Sequence, residues 1–261
     1  MDRTDPPTRR IVLVTGASRG IGAATAQRLA APDTHVLVNY REKAKRAQTV
    51  VDAITAAGGS ASAIGADLSD GTAVTEMIDH IRARFGRLDA LVLNASGGLE
   101  RGADPGYALR LNRDAQVRLA TLALPLMPGG RIVFVTSHQA HFHTHGGGLP
   151  DGYEPIAASK RAGEDALRAL LPEFIDHGVG FVVVSGDMID GTIIIRLLER
   201  RDPDAVAARR TQGPLPTVEE FAVAVADALD TPAAPGQTFY VGGADYLTGT
   251  VHRPPPGTET I

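Results

Sequence analysis

A glycine-rich run near the start of the chain has the residue types and spacing to bind a phosphate group. The run Thr15–Gly22 follows the apolar segment Ile11–Val14 and continues into a helical pattern. A turn from strand to helix directs backbone N–H groups and the positive end of the helix dipole towards an anion. An ordinary tight turn would use the same glycines, but the position directly after a first strand favours a nucleotide-binding loop. The residues that we expect to line it are Gly16, Ser18, Arg19, Gly20, Ile21 and Gly22.

The charges near this loop predict which dinucleotide it binds. The second apolar segment, Val36–Val38, is followed by Asn39 and Arg41, and no carboxylate stands at the end of this strand. A carboxylate there would bind the ribose hydroxyls of NAD and repel the 2′-phosphate of NADP. Arg19 adds a guanidinium group that can pair with a phosphate through two hydrogen bonds. We therefore predict NADP(H), with Asn39 and Arg41 among the residues that bind it; solvated surface charges are the alternative for Arg19 and Arg41.

The second half of the chain holds a phenol and an ammonium group that could transfer a proton. Tyr153 precedes Lys160 by seven residues. A free phenol has a pKa near 10, and a nearby ammonium group would favour the phenolate. Pro155 suits a first helical turn and disfavours helical geometry before it, so we expect Tyr153 and Glu154 to lie in the preceding loop. A packed loop aromatic is the alternative for Tyr153.

A histidine-rich run lies between these groups and the fifth strand. Residues 138–145 contain four of the eight histidines. Their alternation along a loop does not direct them to one point, so no metal site is predicted. We expect them to line a substrate pocket, and one of them could replace Tyr153 as the proton donor because imidazole titrates near neutrality. A polar surface loop is the remaining alternative.

Short apolar strands that alternate with helical patterns must position these residues. The strands do not alternate polar and apolar residues, which is typical of a parallel sheet covered on both faces. The sequence predicts one doubly wound Rossmann-type α/β domain over residues 1–261, with a mostly parallel seven-stranded sheet and loosely held ends at 1–8 and 252–261. The predicted strands are Ile11–Val14, Val36–Val38, Ala61–Ile64, Leu91–Leu93, Ile132–Val135, Phe181–Val184 and Phe239–Val241.

From about residue 11 to residue 243, the chain resembles the short-chain dehydrogenase/reductase family. The resemblance is carried, in the order of that family, by Thr15–Gly22, Asp67-Leu68, Asn94-Ala95-Ser96-Gly97, Asn112, Ser137 and Ser159-Lys160. It implies that Asp67 and Leu68 hold the adenine ring and that Asn94 and Ala95 lie along the cofactor near its ribose. A helix N-cap is the alternative for Asp67.

The pattern departs from this family where the proton donor is expected. The family has a tyrosine four residues before the lysine, but Ile156 stands there and cannot transfer a proton. The spacing of Tyr153 and Lys160 is similar to that of the divergent enoyl-acyl-carrier-protein reductases. The resemblance implies that Ser137 hydrogen-bonds the substrate carbonyl and that Lys160 also holds the nicotinamide ribose. It further implies that Asn112 helps to hold Lys160 and a water; a cap or kink of its helix is the alternative.

The segment after the sixth strand corresponds to the part of the family that meets the nicotinamide carboxamide. Gly186, Met188 and Thr192 are the cofactor contacts expected there, and Ser185 stands where the family usually has proline. The apolar run Ile193–Leu198 reads either as a short helix that closes over the substrate or as plain core.

Composition limits the remaining possibilities. The chain has no cysteine, a net charge of −4 with scattered signs, and no apolar run of membrane-spanning length. These features disfavour thiolate chemistry, nucleic-acid binding and membrane insertion, and they predict a cytoplasmic protein. We expect an NADP(H)-dependent oxidoreductase of a carbonyl or alcohol, such as a 3-oxoacyl or polyketide-like ketone. An enoyl reductase or an inactive nucleotide-binding sensor or scaffold is the alternative. The family resemblance implies a homodimer or homotetramer.

Overall fold

A computed structural model describes residues 9–98, 104, 106–143, 149 and 152–243. The strands are β1 (Arg10–Val14), β2 (Thr34–Tyr40), β3 (Ser60–Gly65), β4 (Ala90–Leu93), β5 (Arg131–Ser137), β6 (Gly180–Gly186) and β7 (Thr238–Val241). The helices before β5 are α1 (Gly20–Arg28), α2 (Ala44–Ala56), α3 (Gly71–Phe85), α4 (Tyr107–Leu109), a π-helical turn (Arg110–Asp114), α5 (Ala115–Ala123) and a 3₁₀ turn (Leu124–Leu126). Those after it are α6 (His138–His141), α7 (Glu154–Ala169), α8 (Leu171–Asp176), α9 (Ile193–Arg201), α10 (Pro203–Thr211) and α11 (Val218–Asp227).

The seven strands form one parallel sheet, which confirms the predicted fold. Its strand order is β3-β2-β1-β4-β5-β6-β7. The order reverses between β1 and β4, and in doubly wound sheets the ligand crevice lies outside the carboxyl ends of the strands at this point. Ser137 at the end of β5 pairs in register with Gly186 at the end of β6. The topology therefore brings the glycine loop and the predicted reacting residues to one edge of the sheet.

Both faces of the sheet are buried, as the unbroken apolar strands predicted. Val12 and Val14 of β1 pack in the layer that contains α1, α2 and α11. The alternate residues Ile11 and Leu13 pack in the opposite layer with α3, α5 and α7. Because successive side chains of a strand point to opposite faces, an apolar residue is needed at every position.

Two helical segments are interrupted. Residues 107–126 are divided into α4, the π-helical turn, α5 and the 3₁₀ turn. Helices α7 and α8 are separate, because Pro172 in the first turn of α8 has no N–H for a helical hydrogen bond. Within the described ranges, no helix is both long and apolar enough to cross a bilayer.

Candidate active site

The glycine loop has the geometry that an approaching phosphate requires. Gly16 and Gly20 have φ values of +60° and +54°, a region that favours glycine. A Cβ added at Gly22 would lie 2.5 Å from Asn94 Nδ2, so this glycine allows the helix to pack closely. A Cβ at Gly20 would meet no atom of the described residues within 4 Å, so the loop is open on that side. The first turn of α1 contains no acidic residue, and Arg19 before it is exposed. These features fit a pyrophosphate.

Thr15, which sequence reasoning did not single out, joins the loop to β4. Its hydroxyl donates to Val92 O at 3.0 Å and accepts from the backbone N–H groups of Asn94 (2.9 Å) and Ala95 (3.0 Å). Asn94 donates in turn from Nδ2 to Thr15 O at 2.8 Å. The amide of Asn94 therefore supports the loop, and its predicted contact with the cofactor ribose stays a prediction. A threonine directly after β1 was the available sequence signal.

Asn39 corrects one of the predicted cofactor contacts. Its side chain is buried, and its Oδ1 accepts from the backbone N–H of Gly16 at 3.2 Å. Its Nδ2 donates to the carbonyl oxygens of Ile64 and Ala66, both at 3.3 Å. Asn39 thus holds the glycine loop onto β3 instead of facing a ribose phosphate. Arg41 is exposed and donates to the hydroxyl of Tyr107 at 2.5 Å.

The two residues expected at the adenine ring, Asp67 and Leu68, differ in the exposure of their side chains. Asp67 is partly exposed, and its Oδ1 accepts from the backbone N–H (2.9 Å) and hydroxyl (2.7 Å) of Ser69. The N-cap of α3 is Asp70, so Asp67 is not the cap of that helix. The side chain of Leu68 is buried in the core layer of α3, which leaves only its backbone for a ligand. The contacts of Asp67 and Leu68 with an adenine ring stay predictions.

Ser137 and Tyr153 meet at the carboxyl edge of the sheet. The Ser137 hydroxyl lies 3.4 Å from the Tyr153 hydroxyl. Tyr153 directly precedes α7 and Pro155 lies in its first turn, as predicted, but Glu154 already belongs to the helix. The ring of Tyr153 is 5% exposed and packs with Ile156, Ala140 and other apolar residues. Tyr153 is therefore packed, and its hydroxyl is also placed beside the serine.

The pKa of Tyr153 shifts in the direction opposite to the one that a phenolate would require. Burial raises the pKa of Tyr153, and the hydrogen bond with Ser137 opposes this rise without cancelling it. The expectation that Lys160 would favour the phenolate is thus corrected, and the phenol is protonated at neutral pH. Burial lowers the pKa of Lys160 from 10.5 to about 8, and the negative charge of Glu164 opposes this shift.

Asn112 lies in the π-helical turn and connects the end of β4 to α7. Its Oδ1 accepts from Gly97 N at 3.2 Å, and its Nδ2 donates to Gly97 O (3.0 Å) and Ser159 Oγ (2.9 Å). Single π-helical turns inside helices are frequent at functional sites. The amide holds the neighbour of Lys160, whereas the predicted contact with Lys160 itself stays a prediction.

The prediction that the histidines line a pocket on a loop is wrong for His138 and His141. His138 and His141 form a short helix, α6, and both are buried. His138 is hydrogen-bonded to Ser185 Oγ (2.8 Å) and Gly242 O (3.0 Å). His141 is hydrogen-bonded to Glu164 and Tyr240, so both rings face the β6–β7 edge. His143 is partly exposed and lies 3.2 Å from the Glu154 carboxylate, and His145 lies outside the described residues.

The segment after β6 is held by contacts within the protein. Gly186 packs under Phe221, whose ring a Cβ would approach to 2.3 Å. Thr192 is the N-cap of α9; its hydroxyl accepts from Ile195 N at 3.3 Å and donates to Ile189 O at 2.8 Å. The run Ile193–Leu198 lies in helix α9 and buries Ile195 and Leu198, and closure of this helix over a substrate stays a prediction. The contacts of Gly186, Met188 and Thr192 with a carboxamide stay predictions.

An apolar cluster packs around Tyr153. Its members come from α4, α6, α7, α9 and α10, so the segments after β4, β5 and β6 meet here. They are Ala108, Ala140, Tyr153, Ile156, Ala157, Ile195, Leu198 and Val206, with Leu149, Met188 and Leu197 partly buried against them. These side chains are buried against one another, so the cluster fixes the position of the Tyr153 ring.

The chain is similar in sequence to a dehydrogenase family and to individual reductases. A family model described as short chain dehydrogenase matches residues 10–201. Hydroxynaphthalene reductase arp2 of Aspergillus fumigatus is 38% identical over 178 residues, which is 65% of this chain and 62% of the relative. The chain therefore matches less than two thirds of that relative's length. 1-Cyclohexenylcarbonyl-CoA reductase of Streptomyces collinus is 33% identical over 92% of this chain and 84% of the relative.

Solved structures also match nearly the whole chain. A short chain dehydrogenase from Burkholderia cenocepacia in complex with NADP has a TM-score of 0.75 and 31% identity, covering 90% of this chain and 98% of its own. The angucycline C-6 ketoreductase LanV with bound NADP has a TM-score of 0.77 and 26% identity, covering 91% of this chain and 96% of its own.

Proposed function

The chain belongs to the short-chain dehydrogenase/reductase family, and we propose that it reduces the carbonyl group of a small organic substrate with NADPH. Two solved structures that it resembles contain NADP, and the exposed Arg19 and Arg41 suit the extra phosphate. The observation that carries the proposal is the 3.4 Å contact between the hydroxyls of Ser137 and Tyr153. It supplies a proton donor at the sheet edge although position 156 is aliphatic.

The residues have distinct roles in this reaction. The bound cofactor supplies the hydride. Tyr153 donates its phenolic proton to the carbonyl oxygen, and its raised pKa keeps that proton available at neutral pH. The Ser137 hydroxyl donates a hydrogen bond to the oxygen as negative charge develops there. Lys160 contributes a positive charge on the helix that follows Tyr153, and Asn112 fixes that helix through Ser159.

A ring-containing ketone is the substrate class that we propose, and the support for it comes from the similar proteins. Relatives are named for hydroxynaphthalene, versicolorin and angucycline substrates, which supports a polyketide-like ketone. The test is NADPH consumption with polycyclic ketones, 3-oxoacyl thioesters and enoyl thioesters. Cofactor binding without consumption across the panel would contradict the proposal and favour a nucleotide-binding sensor.

Enoyl reduction is the second candidate function. Two observations favour it: the seven-residue interval from Tyr153 to Lys160, and the similarity to a reductase of 1-cyclohexenylcarbonyl-CoA over 92% of this chain. Faster turnover of enoyl thioesters than of ketones would select it. In both candidates the chain acts as one catalytic domain, and family membership supports a homodimer or homotetramer, which light scattering would test.

Replacing Arg19 by glutamine should weaken NADPH binding about tenfold or more, because a charge-assisted hydrogen bond contributes about 1.5–3 kcal/mol. Binding of NADH should hardly change, since it lacks the 2′-phosphate. Calorimetric titration with both cofactors measures the difference. Arg28→Gln is the matched control, because Arg28 is an exposed arginine on the same helix. Equal loss of affinity for the two cofactors would show that Arg19 does not contact the 2′-phosphate.

The lowered pKa of Lys160 predicts a falling limb in the pH profile. Above about pH 8, Lys160 loses its proton, so kcat/KM should fall by about tenfold per pH unit. Stability should respond with the opposite sign: the unfolded state binds more protons between pH 8 and 10.5, so this group adds stability as pH rises there. Lys160→Arg keeps the charge and should remove this limb. The same limb in Lys160→Arg would assign it to another group.

A further inference from the structure

Helix α7 contains a buried carboxylate that the proposed reaction does not use. The Glu164 side chain is fully buried, and it lies four residues after Lys160 on this helix. An ionised carboxylate is costly to bury unless it is paired and hydrogen-bonded. Its partners therefore indicate whether it carries a charge.

Glu164 is paired with one group of α6 and one of α7, and β7 contacts both of these partners. His141 of α6 is hydrogen-bonded through Nδ1 to Glu164 Oε2 at 2.9 Å. Arg168, one turn further along α7, donates from Nε to Glu164 Oε1 at 2.9 Å. Tyr240 of β7 completes the cluster, because its hydroxyl lies 3.0 Å from His141 Nε2. Arg168 also donates to Thr238 Oγ1 of β7 at 2.8 Å, so the cluster joins α7 to α6 and to the sheet.

This environment keeps Glu164 negatively charged. Burial raises its pKa, but the hydrogen bond and charge of His141, with the charge and hydrogen bond of Arg168, lower the pKa below its ordinary value. A carboxylate with such partners is ionised at neutral pH.

Lys160 lies close enough in sequence on α7 to interact with the negative charge of Glu164. Residues four apart on a helix are neighbours on one face, so Glu164 and Lys160 share the side of α7 that packs inward. Burial disfavours the ammonium form of Lys160, and Glu164 is the charged group of the described chain that opposes it. Within the part of the chain that the structure describes, no other charge offsets the cost of burying that cation.

We propose that Glu164 is a positioning residue of the active site, and that its carboxylate is the buried counter-charge that maintains Lys160 as an ammonium ion during turnover. The link to turnover rests on the proposed function, whereas the effect on Lys160 is a property of the protein alone. Glu164 acts through Lys160 and does not contact the reacting atoms.

The composition makes a direct measurement possible. The chain has only three lysines, and the other two, Lys43 and Lys45, are exposed. In protein labelled with ¹³C-lysine, the Cε resonance of Lys160 is assigned by its loss in Lys160→Arg and then followed through a pH titration. Glu164→Gln should lower the titration midpoint of Lys160 by about one pH unit, the size expected for one nearby charge at an effective dielectric near that of partly buried sites.

The high-pH limb of kcat/KM should move by the same amount. A purely structural role for Glu164 would reduce stability and turnover at every pH and would leave both midpoints in place. Asp165→Asn is the matched control: it removes a charge from the next residue, which is exposed and hydrogen-bonded to Arg161, and neither midpoint should move.

Glu164→Gln leaves Arg168 without its buried partner and can prevent folding. The double variant Glu164→Gln/Arg168→Met removes both charges. Because Glu164 is four residues from Lys160 and Arg168 is eight, loss of the carboxylate dominates and the Lys160 midpoint should still decrease. A Lys160 midpoint equal to that of the wild type in either folded variant overturns the inference. The titration needs no substrate, so inactivity of the wild-type protein would contradict the proposed function alone.

Discussion

Replacing Tyr153 by phenylalanine should reduce kcat at least about 100-fold, the smallest loss expected when a positioned general acid is removed. The variant keeps the ring that packs against Ile156 and Ala140 and removes only the hydroxyl beside Ser137. Stability and NADPH affinity should therefore change little, and the loss should be in kcat. Steady-state kinetics with the best substrate of the panel, together with calorimetric titration of NADPH, measures both quantities.

Two control variants make this result specific to Tyr153. Tyr40→Phe removes a phenolic hydroxyl at the end of β2, three strands away from Ser137 in the sheet, and should leave kcat within about twofold of the wild type. His143→Gln removes an imidazole that is partly exposed near the first turn of α7. Unchanged turnover in Tyr153→Phe with a large loss in His143→Gln would transfer the role of proton donor to the histidine.

The buried environment of Tyr153 determines the direction in which it works best. A phenol with a raised pKa is a ready donor and a reluctant base at neutral pH. Reduction needs the donor, whereas oxidation of an alcohol needs the phenolate. We therefore expect alcohol oxidation to become measurable only at alkaline pH, where the lowered pKa of Lys160 also removes the ammonium ion.

The fold could be predicted because its determinants are local. Apolar runs such as Ile11–Val14 and Phe181–Val184 lack polar alternation, and only a strand covered on both faces tolerates this pattern. The glycine loop was predictable for the same reason, since positive φ at Gly16 and Gly20 is a property of the turn itself.

Side-chain direction could not be predicted in this way. Asn39 stands at the expected strand end, but its amide turns inward and is hydrogen-bonded to backbone groups of Gly16, Ile64 and Ala66. His138 and His141 looked like loop residues, yet their hydrogen-bond partners are distant in sequence. His138 bonds to residues 47 and 104 positions away, and His141 to residues 23 and 99 positions away. Contacts between segments that are distant in sequence leave no local pattern.

Gly163 is a position where a contact with a distant segment, and not the local pattern, determines the residue. A glycine inside a helical pattern costs about 1 kcal/mol relative to alanine, so alanine would ordinarily stabilise α7. The structure gives the reason for glycine: a Cβ here would lie 2.0 Å from the carbonyl oxygen of Asn112 and 3.1 Å from its carbonyl carbon. Helix α7 and the π-helical turn therefore touch through their backbones at this point.

Replacing Gly163 by alanine should force α7 and the π-helical turn apart. We expect a loss of about 1–3 kcal/mol or more in the free energy of unfolding, the usual cost of overpacking. Turnover should fall about tenfold or more, because the shift separates Asn112 from Ser159, the neighbour of Lys160. Urea denaturation and steady-state kinetics measure the two effects.

Gly71→Ala is the matched control for Gly163→Ala, since Gly71 also lies in a helix. The atoms nearest to a Cβ there are in the guanidinium end of Arg118, at 3.3 Å, and a flexible side chain can move away. That variant should be neutral or slightly stabilising, as helix propensity predicts. If Gly163→Ala were as stable and as active as Gly71→Ala, the close approach of α7 to Asn112 would not be a feature of the working enzyme. A loss confined to Gly163→Ala would instead show that the backbone contact, and not the asparagine side chain alone, places Lys160 against the catalytic edge of the sheet.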